Sequence, residues 1–314
     1  MRAALLVFAV GCLKMAVDAK VTTQMRAFAG PHGGFGSPLF PDMYPNEFQD
    51  TAVITLGDAY KTGYNIHLDF LVFQVENMYD TMDIFDGNST DKSVNIARLS
   101  GNMTGRSYQS DGPVITLLFK TDLTGQRDGF YVRWTAVKKG VAYSEPKSCP
   151  SVMQENGYGI LFSPGFIGNY PDSITCSWTL ESGDKQKVLL TFYSYETEDC
   201  YDVLSFYDGA AINANKRPKS MCGDVVNPTT EAAFVLSQGS KFNLVFTSDL
   251  TQNFAGFSAV YRFVSSSETI NGDYNRMDWS PNPEDEMRRH PKALQIPKIL
   301  ETPKIPKTPE IPPL

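Results

Sequence analysis

The chain repeats itself at the length of a whole domain. "FQVENMYDTMDIFDG" (Phe73–Gly87) and "YETEDCYDVLSFYDG" (Tyr195–Gly209) align without a gap, 122 residues apart. Glu76, Tyr79, Asp80, Asp86 and Gly87 fall on Glu198, Tyr201, Asp202, Asp208 and Gly209. Upstream, "FGSPLFPDMYPNEF" (Phe35–Phe48) matches "LFSPGFIGNYPDSI" (Leu161–Ile174) at an offset of 126. Downstream, "ITLLFKTDLTGQRDGFYVRW" (Ile115–Trp134) matches "FNLVFTSDLTQNFAGFSAVY" (Phe242–Tyr261) at 127. Offsets this similar leave room only for small loop insertions. Solenoid units run to about 20–50 residues, so a repeat this long is a duplicated domain.

Within each copy the polarity alternates with period two, as in Asn65–Phe70 and Phe242–Phe246, and less strictly in Met82–Phe85. Successive side chains of a strand point to opposite faces, so this pattern makes half-buried strands. Turn-forming clusters such as Leu56-Gly57-Asp58, Asp86-Gly87-Asn88 and Ser110-Asp111-Gly112 separate them, and no long helical periodicity intervenes. The expected fold is all-β, with two antiparallel β-sandwich domains in tandem. A polar stretch, residues 138–148 (KKGVAYSEPKS), reads as the linker. Residues 265–314 end in "IPKILETPKIPKTPEIPPL". Its prolines remove backbone donors and it has few large apolar residues to bury, so a disordered Pro-rich tail is expected.

Residues 1–19 read as a secretory signal: Arg2 precedes an apolar run from Ala3 to Leu13, and Val17-Asp18-Ala19 offers small residues for cleavage. The run is far shorter than the ~20 residues of a membrane span, so no span is expected. Removing the signal removes Cys12 from the five cysteines and leaves Cys149, Cys176, Cys200 and Cys222. An even count on a secreted chain reads as two disulfides, with three pairings open. The three histidines are scattered and no His-Glu-x-x-His run exists, against a zinc protease. A net charge of −7 argues against a nucleic-acid partner, because phosphate binding needs a basic surface. Asn88 and Asn102 begin Asn-x-Ser/Thr sequons, so the first copy is expected to carry sugar and the second none.

The duplicated acids are the chemical signal. Glu76 and Asp80 flank a tight segment, and Asp122 follows the strand expected at Ile115–Lys120; Glu198, Asp202 and Asp249 repeat the arrangement. Antiparallel strands can bring such loops to one end of a sandwich. Three converging carboxylates repel one another unless a hard cation sits between them, and oxygen-only ligands suit Ca²⁺. One acidic trio alone would read as solvated loop residues; two in matching frames point to calcium.

Taken together, the Tyr-Pro turn (Tyr44, Tyr170), the Phe-x-x-aromatic-x-x-Glu run into Tyr-Asp, the Asp-Gly hairpin and the closing Phe-x-x-Asp…Gly-Phe-x-x-x-[Trp/Tyr] pair resemble a CUB domain. The resemblance covers residues 30–137 and 149–264. It implies jelly-roll-like sandwiches and an extracellular setting. It places calcium ligands on Glu76, Asp80 and Asp122, and on Glu198, Asp202 and Asp249, with backbone carbonyls near Thr124 and Thr251. It implies that the hydroxyls of Tyr44 and Tyr170 steady the Glu. It also implies the pairs Cys149–Cys176 and Cys200–Cys222 in the second copy. The first copy has Met78 and Ser100 where the second has Cys200 and Cys222, and no cysteine at all.

Function follows from the acids. No Gly-x-Ser-x-Gly elbow, phosphate-binding loop or histidine beside a carboxylate cluster is present, so no enzyme is expected. The expected function is a secreted, calcium-dependent binding protein whose partners are extracellular proteins with exposed Lys or Arg. The alternatives are an accessory regulator or enhancer of an extracellular protease, and a structural matrix or coat component.

Overall fold

The structure, a computed structural model, describes residues 21–155, 157–209, 219–226 and 233–267. The signal at 1–19 and nearly all of the tail at 265–314 lie outside the described residues. The chain divides into two compact units at Val141, inside the segment 138–148; residues 69–72 and 104–107 group with the second unit.

Alternation in the sequence becomes alternation in burial. In Phe48–Thr55, Asp50, Ala52 and Ile54 are buried and their neighbours are not. In Thr175–Glu181, Cys176, Trp178 and Leu180 point inward while Thr175, Ser177, Thr179 and Glu181 are exposed. In the first domain one sheet runs Thr22–Ala29, Phe48–Thr55, Val114–Lys120, Thr81–Asp86, Asn95–Leu99, and the other His32–Gly36, Gly129–Lys138, Tyr64–Gln74, Arg106–Gln109. The second domain has a four-stranded sheet, Thr175–Glu181, Lys241–Thr247, Val203–Asp208, Lys219–Met221. Its other sheet runs Met153–Gln154, Tyr158–Phe162, Gly256–Ser265, Gln186–Glu196, Asp224–Val226, with Ala233–Leu236 also on Gln186–Glu196. Aromatic side chains fill both interiors in the same way. Tyr44 meets Phe119 edge to face at 5.1 Å, and Tyr170 meets Phe246 at 5.1 Å. Each such ring contributes about 1.5–3 kcal/mol by burial.

The Gly-Phe of the closing motif has a steric cause. Gly129 and Gly256 take left-handed φ of +87° and +78°. A Cβ there would stand 2.0 Å from Ser37 Oγ and 1.9 Å from Ser163 Oγ. Those hydroxyls accept the N–H of Phe130 (3.2 Å) and of Phe257 (3.0 Å).

One pairing departs from the antiparallel expectation: Thr22–Ala29 lies parallel to Phe48–Thr55, in one-to-one register from Thr22 on Phe48 to Ala29 on Thr55. The strand precedes residue 30 and is held from both ends. Thr22 N–H donates to Glu47 O (2.9 Å) and Gly30 N–H to Thr55 O (3.1 Å). It also delivers Arg26, which answers for the missing cysteines. In the second domain Cys149 is bonded to Cys176 and Cys200 to Cys222. Cys176 stands opposite Phe246 in its sheet, and Asp50 stands opposite Phe119 in the same place in the first. A carboxylate at an inward position, 2 % exposed, must be paired. Arg26 grips both of its oxygens, Nε on Oδ1 at 3.2 Å and Nη2 closely on Oδ2, while Nη1 donates to Gly36 O at 2.9 Å. Its guanidinium also lies 4.6 Å from the Phe35 ring centre. At the second disulfide's place, Ser100 Oγ accepts the N–H of Met78 at 2.7 Å.

Candidate metal centres

The register of the sheet builds each acidic cluster. Thr81 pairs with Lys120, so Asp80, before one strand, and Asp122, after the other, emerge side by side. Asp122 N–H donates to Asp80 Oδ1 at 2.9 Å. The loop after Tyr64–Gln74 brings Glu76 back over them, with Asp80 N–H on Glu76 O at 3.3 Å. Carboxylate oxygens of Glu76, Asp80 and Asp122 lie within 4.8 Å of one another. The second domain repeats this with Glu198, Asp202 and Asp249 under the same limit; Asp249 N–H reaches Asp202 Oδ1 at 2.7 Å.

Tyr44 and Tyr170 each hold an aspartate side chain and the main chain of a glutamate. A phenol is a donor and the buried aspartate is the acceptor in reach: Tyr44 donates to Asp80 Oδ2 at 2.5 Å, and Tyr170 to Asp202 Oδ2 at 2.6 Å. Each hydroxyl then accepts the main-chain N–H of the glutamate, Glu76 at 2.9 Å and Glu198 at 3.0 Å. The tyrosine therefore locks the Asp carboxylate and only the backbone of the Glu. Burial, then the Asp hydrogen bond, pushes both phenols far above their ordinary range. Thr124 and Thr251 donate their N–H to Asp122 Oδ1 (3.0 Å) and Asp249 Oδ1 (2.9 Å), which tightens the loop beyond each aspartate.

The electrostatics are those of crowded acids. Burial raises the Asp80 carboxyl above the usual range; hydrogen bonds from Tyr44 and Asp122 N–H oppose it, Asp122's charge adds to it and Arg127's charge opposes it. Asp202 is raised in the same way, by burial first. Glu198 is raised by burial, then by Asp249 and Asp202. Glu76 Oε2 and Glu198 Oε2 are buried and have no hydrogen-bond partner. An orphaned carboxylate oxygen beside two further carboxylates is what a hard cation's donor set requires, so the residues fit Ca²⁺ in both domains.

Four contributors were not legible as site residues. Gly125, with φ +83°, lies under Glu76, and a Cβ there would come within 2.0 Å of the Glu76 carboxyl carbon. In the same frame the second domain has Gln252, whose Nε2 donates to Glu198 Oε1 at 2.9 Å. Ser100 Oγ also bonds the carbonyls of Glu76 (3.1 Å) and Asp80 (2.9 Å), closing the loop from beneath. Thr197 Oγ1 does comparable work on Asp202 O at 3.1 Å. Of the sequon residues, Asn88 is exposed beyond the Asp86-Gly87 turn. Asn102 is half-buried and bridges Gln74, two residues before Glu76, so it stands at the acidic end.

The CUB domain family pattern matches residues 24–134 and 149–261. The chain belongs to the CUB domain family. It is 29% identical over 274 residues to procollagen C-endopeptidase enhancer 1 of Rattus norvegicus, covering 84% of this chain and 54% of that protein. It is 30% identical over 263 residues to Tolloid-like protein 1 of Mus musculus, covering 81% of this chain and 24% of that protein. The solved CUB1-EGF-CUB2 domain of human MASP-1/3 is 22% identical over 75% of this chain and 100% of its own, at a TM-score of 0.30; so low a score adds nothing to the assignment. The chain spans about half the length of the enhancer it matches. Among the described residues no helix is long and apolar enough to cross a membrane.

Proposed function

We propose that this chain is an extracellular, non-catalytic adaptor that uses calcium at both acidic clusters to dock basic side chains of partner proteins. The observation that carries this reading is the pair of orphaned, buried oxygens, Glu76 Oε2 and Glu198 Oε2, each inside a trio of converging acids. Glu76, Asp80 and Asp122 would hold one ion, and Glu198, Asp202 and Asp249 the other. Bound calcium would supply the positive charge that lets three carboxylates stay ionised together. The chain's own residues do the rest. Tyr44 and Tyr170 fix the aspartates, and Ser100 and Thr197 close the loops. Asp122 and Asp249 are only half-buried, so each is a member of its trio within a partner's reach. A partner's Lys or Arg meeting either carboxylate forms a charge-assisted bond, roughly twice the strength of a neutral one and weakened by salt. The secretory signal pattern, the sequons and the disulfides support an extracellular setting, and the lack of any nucleophile–base pairing in the sequence supports a non-catalytic role.

Thermal melting of the full chain with calcium and with chelator tests the ion. Calcium at tenfold excess over Kd adds about 1.4 kcal/mol to a domain that binds it. Asp80→Asn and Asp202→Asn should each remove the increment of one domain only, and identical melting in calcium and chelator would overturn the reading. Capture of partners from extracellular fluid, lost on chelation or on acetylation of partner lysines, tests the docking. A second reading, accessory enhancement of an extracellular protease, is favoured by the alignment to procollagen C-endopeptidase enhancer 1. It predicts faster cleavage of a procollagen substrate when this chain is added, and an unchanged rate would remove it.

A further inference from the structure

On the outer face of its Thr81–Asp86 and Val114–Lys120 strands, the first domain carries a concave pocket of about 490 Å³ that reaches Lys120 at the end nearer the acids, within the range of small-ligand sites, roughly 300–1,000 Å³. Its position follows from the pleat. On Val114–Lys120, Phe119 packs into the core against Tyr44 and Phe130, so Leu118 and Lys120 point to the opposite face. Asp83 pairs with Leu118 on one side and with Arg98 on the other, and these three form a row across the outer face of the sheet. Phe85, next on the same face, and Leu118 give the pocket its apolar wall.

The rim is basic in an acidic protein. Lys92, Arg98 and Lys120 line the pocket against a single carboxylate, Asp83, in a chain of net charge −7. Asp83 is engaged by Arg98, Nε on Oδ1 at 2.7 Å and Nη2 on Oδ2 at 2.8 Å, and more loosely by the Asn95 amide, which donates to Oδ1 at 3.5 Å. Among the described residues neither Lys92 nor Lys120 has an ion-pair partner. Lys92 is placed by a single helical turn, capped by Asp91 Oδ1 accepting Ser93 N–H at 2.8 Å. In the second domain Ser205, Tyr207, Ser220, Val245 and Thr247 hold the places of Asp83, Phe85, Arg98, Leu118 and Lys120, with Ser205 opposite Val245. The charges of Asp83, Arg98 and Lys120 are therefore not repeated there, while the counterparts of Thr90, Lys92 and Asn95 lie outside the described residues. The row of Arg98, Asp83 and Lys120 thus belongs to the first domain and is not part of the duplicated acids.

We propose that this pocket is a separate site for a sulfated sugar. A sugar ring brings a C–H face for Leu118 and Phe85 and hydroxyls for the Asn95 amide and the Thr90 hydroxyl, which complete the lining. Sulfate esters bring charge to two ammonium groups, which act as point charges and tolerate its rotation. An acidic peptide would satisfy the cations but would leave its own backbone donors and acceptors facing an apolar wall.

The test titrates the full chain, with calcium present throughout, by calorimetry against a heparin-derived tetrasaccharide and its desulfated counterpart. The sulfated sugar binds and the desulfated one does not. Lys92→Ala with Lys120→Ala weakens binding about tenfold or more, the scale of losing charge-assisted contacts, with unchanged melting. Asp83→Asn frees Arg98 and strengthens binding several-fold, a change of opposite sign. Lys138→Ala with Lys139→Ala leaves the affinity unchanged. Three results would overturn the proposal: no measurable binding of the sulfated sugar, an equal loss in the Lys138/Lys139 variant, or an acidic peptide of equal charge binding as tightly as the sugar.

Discussion

The two domains close one fold by different chemistry. Where the second ties Cys176 to Cys149, the first buries Asp50 under Arg26; where the second ties Cys200 to Cys222, the first sets Met78 N–H on Ser100 Oγ. Met78 and Cys200 even share a left-handed backbone, φ 73° and 57°, so the loop keeps its shape whether or not the bond across it is covalent. The acidic cluster above that loop is common to both. Loop geometry, set by the tyrosine and the sheet register, is what the carboxylates require, and the closure beneath can be exchanged.

The comparison can be broken most sharply at the disulfides. Replacing Cys149 and Cys176 by serine should cost the second domain about 2–5 kcal/mol. Hydrogen exchange should accelerate in Thr175–Glu181 and stay unchanged in Phe48–Thr55; equal acceleration in both would mean that the domains do not stand independently. Next comes Asp50→Ala, which strands the Arg26 cation. We expect a loss of about 3 kcal/mol in the first domain, the lower end for a broken buried pair, because the Arg26 side chain is 20% exposed. The double change Arg26→Met with Asp50→Leu should recover most of it in denaturant melts.

A smaller effect separates the two metal centres. Gly125→Gln imposes on the first domain the residue that the second carries, and drives a Cβ toward the Glu76 carboxyl. Calcium affinity of the first domain should fall about tenfold, the low end for disturbing a group that orients a ligand, while Gln252→Gly changes the second domain less; calorimetric titration of each variant decides. The smallest is Ser100→Ala, which removes an acceptor from Met78 N–H and should cost about 1 kcal/mol. A null result in thermal melting would show that solvent satisfies that N–H equally well.

Much of this was readable before any coordinates. The β-class follows from alternation, and the acidic trios are visible because both copies carry them in one frame. Asp50 was not, since one acid on an alternating strand looks like any solvated residue until its inward register is known. Its partner sits 24 residues away on a strand outside the repeat and parallel to its neighbour, so no periodicity links the two. That the tyrosine also donates to the aspartate depended on which carboxylate is buried. The basic pocket draws side chains from three strands and a turn, a convergence that spacing along the chain does not encode.

The ion pair beneath the first domain also bears on the order of assembly. Closing that domain needs no oxidant and no thiol exchange, only the arrival of Asp50 after Arg26 and the strands that follow. Domains fold as units, the N-terminal one first during synthesis, and the first domain can reach its final form while the cysteines of the second are still being made or reduced. Disulfide formation, which takes seconds to hours, is thereby confined to the later half. The first domain itself has no cysteine with which the four of the second could mispair.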